Sequence, residues 1–304
     1  MRVRVLGSAA GGGFPQWNCN CHNCTGVRAN AVRATARTQS SIAVSSEAGP
    51  WILFNASPDI RQQLEEFPEM QPRRGVRDTG IAGIVLVDAH IDHTTGLLIV
   101  REGAPLSVYC TDPVFEDLTT GHPILRVLDH FCGVRRITVP LEPDCSFRVD
   151  GVPSLELEAL PLGSKPPPYS PHRNHPRPGD NIGIRVTDET TGRSLFYAPG
   201  VGQVDDELRR WMKESDCVMV DGTFFTEDEL VRQGISEKRA RDMGHLPQSG
   251  EDGMLAVLES LPNKRRILIH INNTNPILDE ESEARQRVEA AGVEVAYDGM
   301  ELVL

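Results

Sequence analysis

The stretch Ile84-Val85-Leu86-Val87-Asp88-Ala89-His90-Ile91-Asp92-His93-Thr94-Thr95-Gly96 constrains this chain more than any other. It begins as an apolar, β-branched run with the character of a buried strand. It then breaks into His90, Asp92 and His93 within four positions, followed by small hydroxylated residues and a glycine. A buried strand that ends this way delivers ligand groups to the edge of a sheet. Imidazole nitrogen with carboxylate oxygen suits Zn, Fe(II) or Mn better than Ca or Mg. The plainer alternative is a surface turn that happens to carry two histidines.

A chain of 304 residues can bury one large core or two ordinary domains. The net charge of −12 leaves no basic surplus for neutralising phosphates, so no nucleic-acid partner is expected. Met1 to Gly7 lacks an apolar signal core and no run approaches a membrane span, so no membrane partner is expected either. Seven cysteines is an odd count, and three fall within six positions: Cys19, Cys21 and Cys24. That is metal-site spacing in a reducing compartment rather than a disulfide framework, and it points to the cytoplasm. Three thiols at C-x-C-x-x-C can surround one tetrahedral ion, with a fourth ligand from His22 or a distant segment. A structural zinc is the expectation; a redox thiol pair lacks the strand and helix that such a motif needs. The glycines from Gly7 to Gly13 do not have phosphate-loop spacing, and Pro15 interrupts any immediate helix.

Elsewhere the chain alternates. Ser41–Ser45 and Trp51–Asn55 read as a hairpin around a turn at Glu47–Pro50, and Asp59–Phe67 as a helix capped by Ser57 or Asp59. Gly80–Val87 is a strand, and residues 136–160 are β-rich. Residues 161–180 hold six prolines between Pro166 and Pro178, which forbids regular structure. Such a length of irregular chain is a linker or a functional lid. Tyr169, His172, Arg173, His175 and Arg177 favour the lid. Beyond it, Val204–Ser215, Gly253–Leu261 and Glu280–Ala291 are predicted helices. Cys217–Val220 and Arg266–Ile269 are strands, and Val293–Tyr297 is the expected last strand. Three core strands end in polar groups: Asp92 with His93, Asp221, and His270. Layered α/β folds place sites at such strand ends, so these groups are expected to converge. His245, in a glycine-flanked loop, is a candidate acid or base.

Asp88-Ala89-His90-Ile91-Asp92-His93 resembles the H-x-H-x-D-H motif of the metallo-β-lactamase superfamily, with Asp88 in place of the first histidine. Leu6 through Cys19, Asp59, Ile91–Gly96, His270–Pro276 and Tyr297–Met300 together resemble the B family of pyrroloquinoline quinone (PQQ) biosynthesis proteins. The resemblance implies an α/β class αββα sandwich, with two mixed β-sheets flanked by helices. It implies a single domain over 1–304, carrying a cysteine zinc loop at residues 17–26 and the Pro-rich lid. His90, Asp92, His93 and His270 would hold an active-site metal, with Asp88 and Asn55 supporting them from behind. Cys19, Cys21 and Cys24 match a structural-zinc insertion whose fourth ligand falls at Asn273. The implied activity is iron- and O₂-dependent hydroxylation of the tyrosine ring in a cross-linked Glu–Tyr precursor. Fe(II) and Zn are thus the expected metals, and the precursor and O₂ the expected small-molecule partners. Asp221 or His245 would relay protons, and Arg173 and Arg177, with Tyr169 and His172, would hold the substrate. A homodimer braced by the zinc loop is also implied. Pro199 stands where a bridging aspartate belongs, and no histidine lies near Gly163, which counts against a dinuclear hydrolytic centre. A carrier for PQQ or its precursor, and a divalent-metal hydrolase, are the competing expectations.

Overall fold

The structure, a computed structural model, describes residues 1–46, 49–261 and 264–304, so half of the turn expected at Glu47–Pro50 lies outside the described residues. The first sheet holds β1 (Arg2–Gly7), β2 (Ser41–Ser45), β3 (Trp51–Phe54), β4 (Ile81–Val85), β5 (Leu106–Cys110) and β6 (Val134–Thr138). The second holds β7 (Ser146–Phe147), β8 (Leu155–Pro161), β9 (Ile182–Asp188), β10 (Arg193–Ala198), β11 (Cys217–Asp221), β12 (Arg265–Ile269) and β13 (Glu294–Val295). The last strand, β14 (Glu301–Val303), crosses back to the first sheet and pairs with β1. The orders are β14-β1-β2-β3-β4-β5-β6 and β13-β12-β11-β10-β9-β8-β7. Each sheet is mixed: β3 to β6 pair in parallel, as do β10 to β13, and the remaining pairs are antiparallel.

Alternation along the strands explains the layering. Side chains of a strand point to opposite faces in turn. Ile52 and Phe54 enter the core between the sheets, whereas Leu53 packs outward under the helices that cover the first sheet. Cys217 and Met219 join the same central core, while Val218 and Val220 face the helices of the second sheet. With both faces buried, these strands read as continuous apolar runs rather than alternating ones. The result is the metallo-β-lactamase arrangement, two mixed sheets between outer helices.

The two sheets meet at one rim. Ile182 donates to the Val87 carbonyl at 2.9 Å and Asp88 bridges Asn181, joining the end of β4 to the start of β9. Ala10 donates to the Ile271 carbonyl at 2.9 Å, tying the end of β1 to the end of β12. Two non-glycine residues at this seam have left-handed backbone, Asn55 at φ 61° and His270 at φ 62°. Asparagine tolerates that conformation, and Asn55 Oδ1 accepts from Val87 N at 3.1 Å, fixing the strand end. A histidine there is strained, and such strain concentrates where a side chain must be aimed.

Two expectations about the elements fail. Neither Ser57 nor Asp59 caps the helix Ile60–Glu65 with its side chain: Asp59 stands at the N-cap position but makes no such bond. Val293–Tyr297 is not the final strand: only Glu294 and Val295 pair, and the chain then turns through Asp298 and Gly299, at φ 90°, into β14. Three residues with one buried member carry too little periodicity to be seen in sequence. Among the described residues, no helix is long and apolar enough to cross a membrane.

Candidate metal centre

The end of β4 runs on through Leu86 and Val87 into a single helical turn, Ile91–Thr94, for which His90 is the extended N-cap residue. That turn places Asp92 and His93 on the rim, and His270 arrives from β12 in the other sheet. Asp92, His93 and His270 each offer a donor atom within 4.8 Å of the others. Asp88 accepts from His93 Nδ1 with both carboxylate oxygens, at 2.9 and 2.8 Å, and from the His90 backbone N–H at 2.9 Å. Because a carboxylate offers no proton, Nδ1 of His93 must carry one, and the ring is aimed by its Nε2. That Nε2 is buried and has no hydrogen-bond partner among the described residues. His270 Nε2 lies 3.2 Å from Asp92 Oδ2. A bare imidazole nitrogen, a second one and a carboxylate oxygen therefore face a common point. The set fits a divalent transition metal, with two nitrogens and one oxygen on one side and the other side open.

The charges around this point are strongly coupled. Burial alone would lower the His93 imidazole, but Asp88 and Asp92 outweigh it and lift the ring to about 9. Burial would raise Asp88, yet His93 and His90 hold it well below the usual carboxylate range. Asp92 is likewise held down, against burial, by His93 and His270. Burial and the charge of His93 push His270 down, in spite of Asp92.

A second group adjoins the first through His270. Asp221, at the end of β11, is fully buried, and Oδ2 accepts from His245 Nδ1 at 2.7 Å. Burial opposes protonation of His245, but Asp221 overcomes it and raises that imidazole. The Thr223 hydroxyl lies 2.6 Å from Asp221 Oδ1, 3.1 Å from His245 Nδ1 and 2.8 Å from His270 Nδ1. Sequence reasoning passed over Thr223. The one available signal was its place two residues beyond a strand-ending aspartate.

Both groups open onto a cavity of about 250 Å³. Asp88, Asp92, His93, His245 and His270 line it, with Arg173 and Lys238 as its cations and Phe224, Met243 and Pro168 as apolar wall. His90 reaches the cavity with its side chain 30 % exposed and stands apart from the three clustered donors. The Pro-rich segment contributes less than its sequence suggests. Arg173 faces the cavity, but Arg177 and His172 turn away onto Glu116, at 2.6 and 3.1 Å. Tyr169 hydrogen-bonds the Ala89 carbonyl and packs against the His122 ring, outside the cavity lining. The carboxylate of Glu116, far from residues 172 and 177 in sequence, is what redirects them. Lys238, which carried no motif, takes a place on the wall.

The cysteine cluster is separate, with Cys24 buried and Cys19 and Cys21 partly exposed. The three sulfur atoms of Cys19, Cys21 and Cys24 lie within 4.8 Å of one another. Cys21 caps the helix His22–Arg28, and backbone N–H groups of Gln16, Cys21 and Cys24 point at Cys24, Cys19 and Cys21 sulfurs at 3.4 to 3.5 Å. Burial pushes the Cys21 thiol up to about 12, a shift that a bound cation would oppose. The Asn273 side-chain amide sits over all three sulfurs, at 3.1, 3.6 and 3.4 Å. Its oxygen and nitrogen exchange places by a half-turn, so a ligand oxygen is within reach of the trio. His22 does not compete: its imidazole is 77 % exposed and lies 3.9 Å from Asp279. On a helix opened by Cys21, position 22 points outward.

Residues 50–271 match the family described as beta-lactamase superfamily domain. The coenzyme PQQ synthesis protein B of Azoarcus sp. (strain BH72) is 59 % identical over 306 residues, covering all of both chains. That of Methylobacillus flagellatus is 55 % identical over 305 residues, again over the whole of each. The chain belongs to the coenzyme PQQ synthesis protein B family. Among solved structures, Zn²⁺-bound PqqB from Methylobacterium extorquens superposes with a TM-score of 0.92 at 38 % identity, over all of both chains. A diphosphatase of the PhnP family superposes with a TM-score of 0.69 at 19 % identity, over 100 % of this chain and 97 % of that one, which speaks to the fold alone. Against the superfamily's motif, this member of the synthesis protein B family departs at Asp88, and the geometry gives the departure a use. Where a histidine would bind metal, Asp88 instead grips Nδ1 of His93 and orients a neighbouring donor. Pro199, immediately after β10, offers no side-chain donor.

Proposed function

We propose that this member of the coenzyme PQQ synthesis protein B family is a mononuclear iron enzyme that hydroxylates the tyrosine ring of the cross-linked Glu–Tyr precursor with O₂. The observation that carries the reading is the trio of His93 Nε2, His270 Nε2 and Asp92 Oδ2 facing one point, with the cavity open on the far side. Two imidazoles and one carboxylate with open positions is the donor set of non-haem Fe(II) oxygenases. Iron bound there would supply the one-electron chemistry that O₂ requires.

The chain's own residues do the rest. Asp88 holds His93 in one tautomer. Arg173 and Lys238 are the cations available for the precursor's carboxylates, and Phe224, Met243 and Pro168 offer apolar surface to the phenol ring. Asp221 fixes Nδ1 of His245, which leaves Nε2 of that ring to take or return a proton at the bound molecule. Cys19, Cys21 and Cys24, with the Asn273 amide, suit a structural zinc, as three thiolates and an oxygen close a tetrahedron without an open position.

The test is anaerobic reconstitution with Fe(II), then addition of O₂, ascorbate as electron donor, and a phenol bearing the cross-linked diamino-dicarboxylate. A product heavier by one oxygen atom, formed only with iron, supports the reading. Cleavage of an ester or phosphodiester with zinc under argon would make the protein a hydrolase. Tight binding of the phenol with no turnover under any metal would make it a carrier.

A further inference from the structure

His270 is shared by two potential cradles. On its Nε2 side lie Asp92 and His93; on its Nδ1 side lie Asp221 and His245, whose donor atoms also fall within 4.8 Å of one another. Either group has the chemistry to hold a divalent ion, so the fold must contain something that chooses between them. The Nδ1 side is not empty space. The buried Thr223 hydroxyl stands among all three of its donors, at 2.6, 3.1 and 2.8 Å from Asp221, His245 and His270.

We propose that Thr223 is a positioning residue that directs the metal to the Nε2 face of His270. The count of protons at Thr223 decides the face. Threonine has one O–H, and the short contact to a charged carboxylate takes it. Toward the two imidazoles, Oγ1 then acts only as an acceptor. With an ion seated between Nε2 and Asp92 Oδ2, which lie 3.2 Å apart, His270 then carries its one proton on Nδ1, donated to Thr223, and turns the Nε2 lone pair toward Asp92 and His93. The same oxygen occupies the space an ion would need between Asp221, His245 and His270. Thr223 is itself fixed at both ends: its N–H donates to Asp221 Oδ1 at 2.9 Å, and its carbonyl accepts from Asn272 N at 3.1 Å and Asn275 Nδ2 at 3.2 Å. Those last two donors lie on the loop that follows His270, so the threonine and the histidine it orients move together.

The inference rests on the metal reading above, and its test separates the two. Protein whose cysteine site already holds zinc is titrated with Zn²⁺ against a chromogenic chelator, and histidine-labelled protein is followed by ¹⁵N NMR. In the wild type one further ion is expected, with His270 ligated through Nε2 and protonated on Nδ1. Thr223→Ser should reproduce this. Thr223→Ala should weaken the further ion roughly 10- to 100-fold or transfer it to Nδ1. Ligation through Nδ1 in the wild type would overturn the proposal without any variant, as would full affinity and unchanged Nε2 ligation in Thr223→Ala. No further ion in the wild type would instead bring down the metal reading first, and this inference with it.

Discussion

The two donor clusters are built on opposite plans. Cys19, Cys21 and Cys24 come from one short loop and one helix turn, and Asn273 closes over them from the loop after β12. Asp92, His93 and His270 come from strand ends in different sheets and line a cavity. A cluster with four donors and no vacancy is suited to holding chain together. A cluster with three donors and an open side is suited to chemistry. The loop from His270 to Asn273 touches both, so the structural cluster also braces the element that carries a donor of the open one. Asn23 strengthens that brace by donating to the Asn273 and Asn275 carbonyls at 3.1 and 2.8 Å.

The contrast predicts different losses on the two sides. His270→Ala should remove the cavity ion and lower turnover by more than about 100-fold, beyond what losing an outer partner costs, with the melting temperature changed little. Metal analysis would then find one ion per chain; two would break the contrast. Cys24→Ser should do the reverse in kind. If the metal ties the loop as firmly as a native disulfide does, about 2–5 kcal/mol at roughly 2–4 °C for each, its loss should lower Tm by about 4–20 °C in calorimetry. Iron affinity at the cavity would fall only as far as the 270–273 loop loosens.

Two smaller effects sharpen the picture. Asp88→Asn leaves a side chain of the same shape but removes the charge on His93 Nδ1, and should weaken cavity iron roughly 10- to 100-fold while leaving the cysteine zinc in place. Arg173→Gln should raise KM for the dicarboxylate phenol about 10-fold or more through loss of one charge-assisted bond, with kcat nearly constant. An equal fall in kcat would move Arg173 from binding to catalysis.

How far the sequence foretold this follows from how local each feature is. The motif from Ile84 to Gly96 and the three cysteines each sit in one short segment, so residue type and spacing expose them. The two-sheet layering came with the family resemblance, while apolar runs such as Cys217–Val220 marked single buried strands. What stayed hidden depends on distant partners. Glu116 draws Arg177 and His172 off the cavity, and no pattern within residues 161–180 announces it. Thr223 becomes a junction only once β11 and β12 lie side by side. Strand β14 is visible only as a partner for β1.

The smallest expected effect concerns the same brace. Glu229 is buried, accepts from Thr274 Oγ1 at 2.5 Å and Phe225 N at 2.7 Å, and burial pushes its carboxyl up to about 7. A carboxyl whose folded pKa is raised binds more protons folded than unfolded between its ordinary value and about 7. Stability should therefore fall as pH rises through that window. Glu229→Gln should flatten that slope in urea titrations at several pH values, at the cost of one acceptor.

The central claim is that His93, His270 and Asp92 share one ion. Anomalous diffraction at the iron edge, from crystals loaded with Fe(II) without oxygen, tests it most directly. The account predicts one cavity peak roughly 2.0–2.2 Å from His93 Nε2, His270 Nε2 and an Asp92 oxygen. A peak seated instead on Asp221 and His245, or no cavity peak while the cysteine site is full, would contradict it.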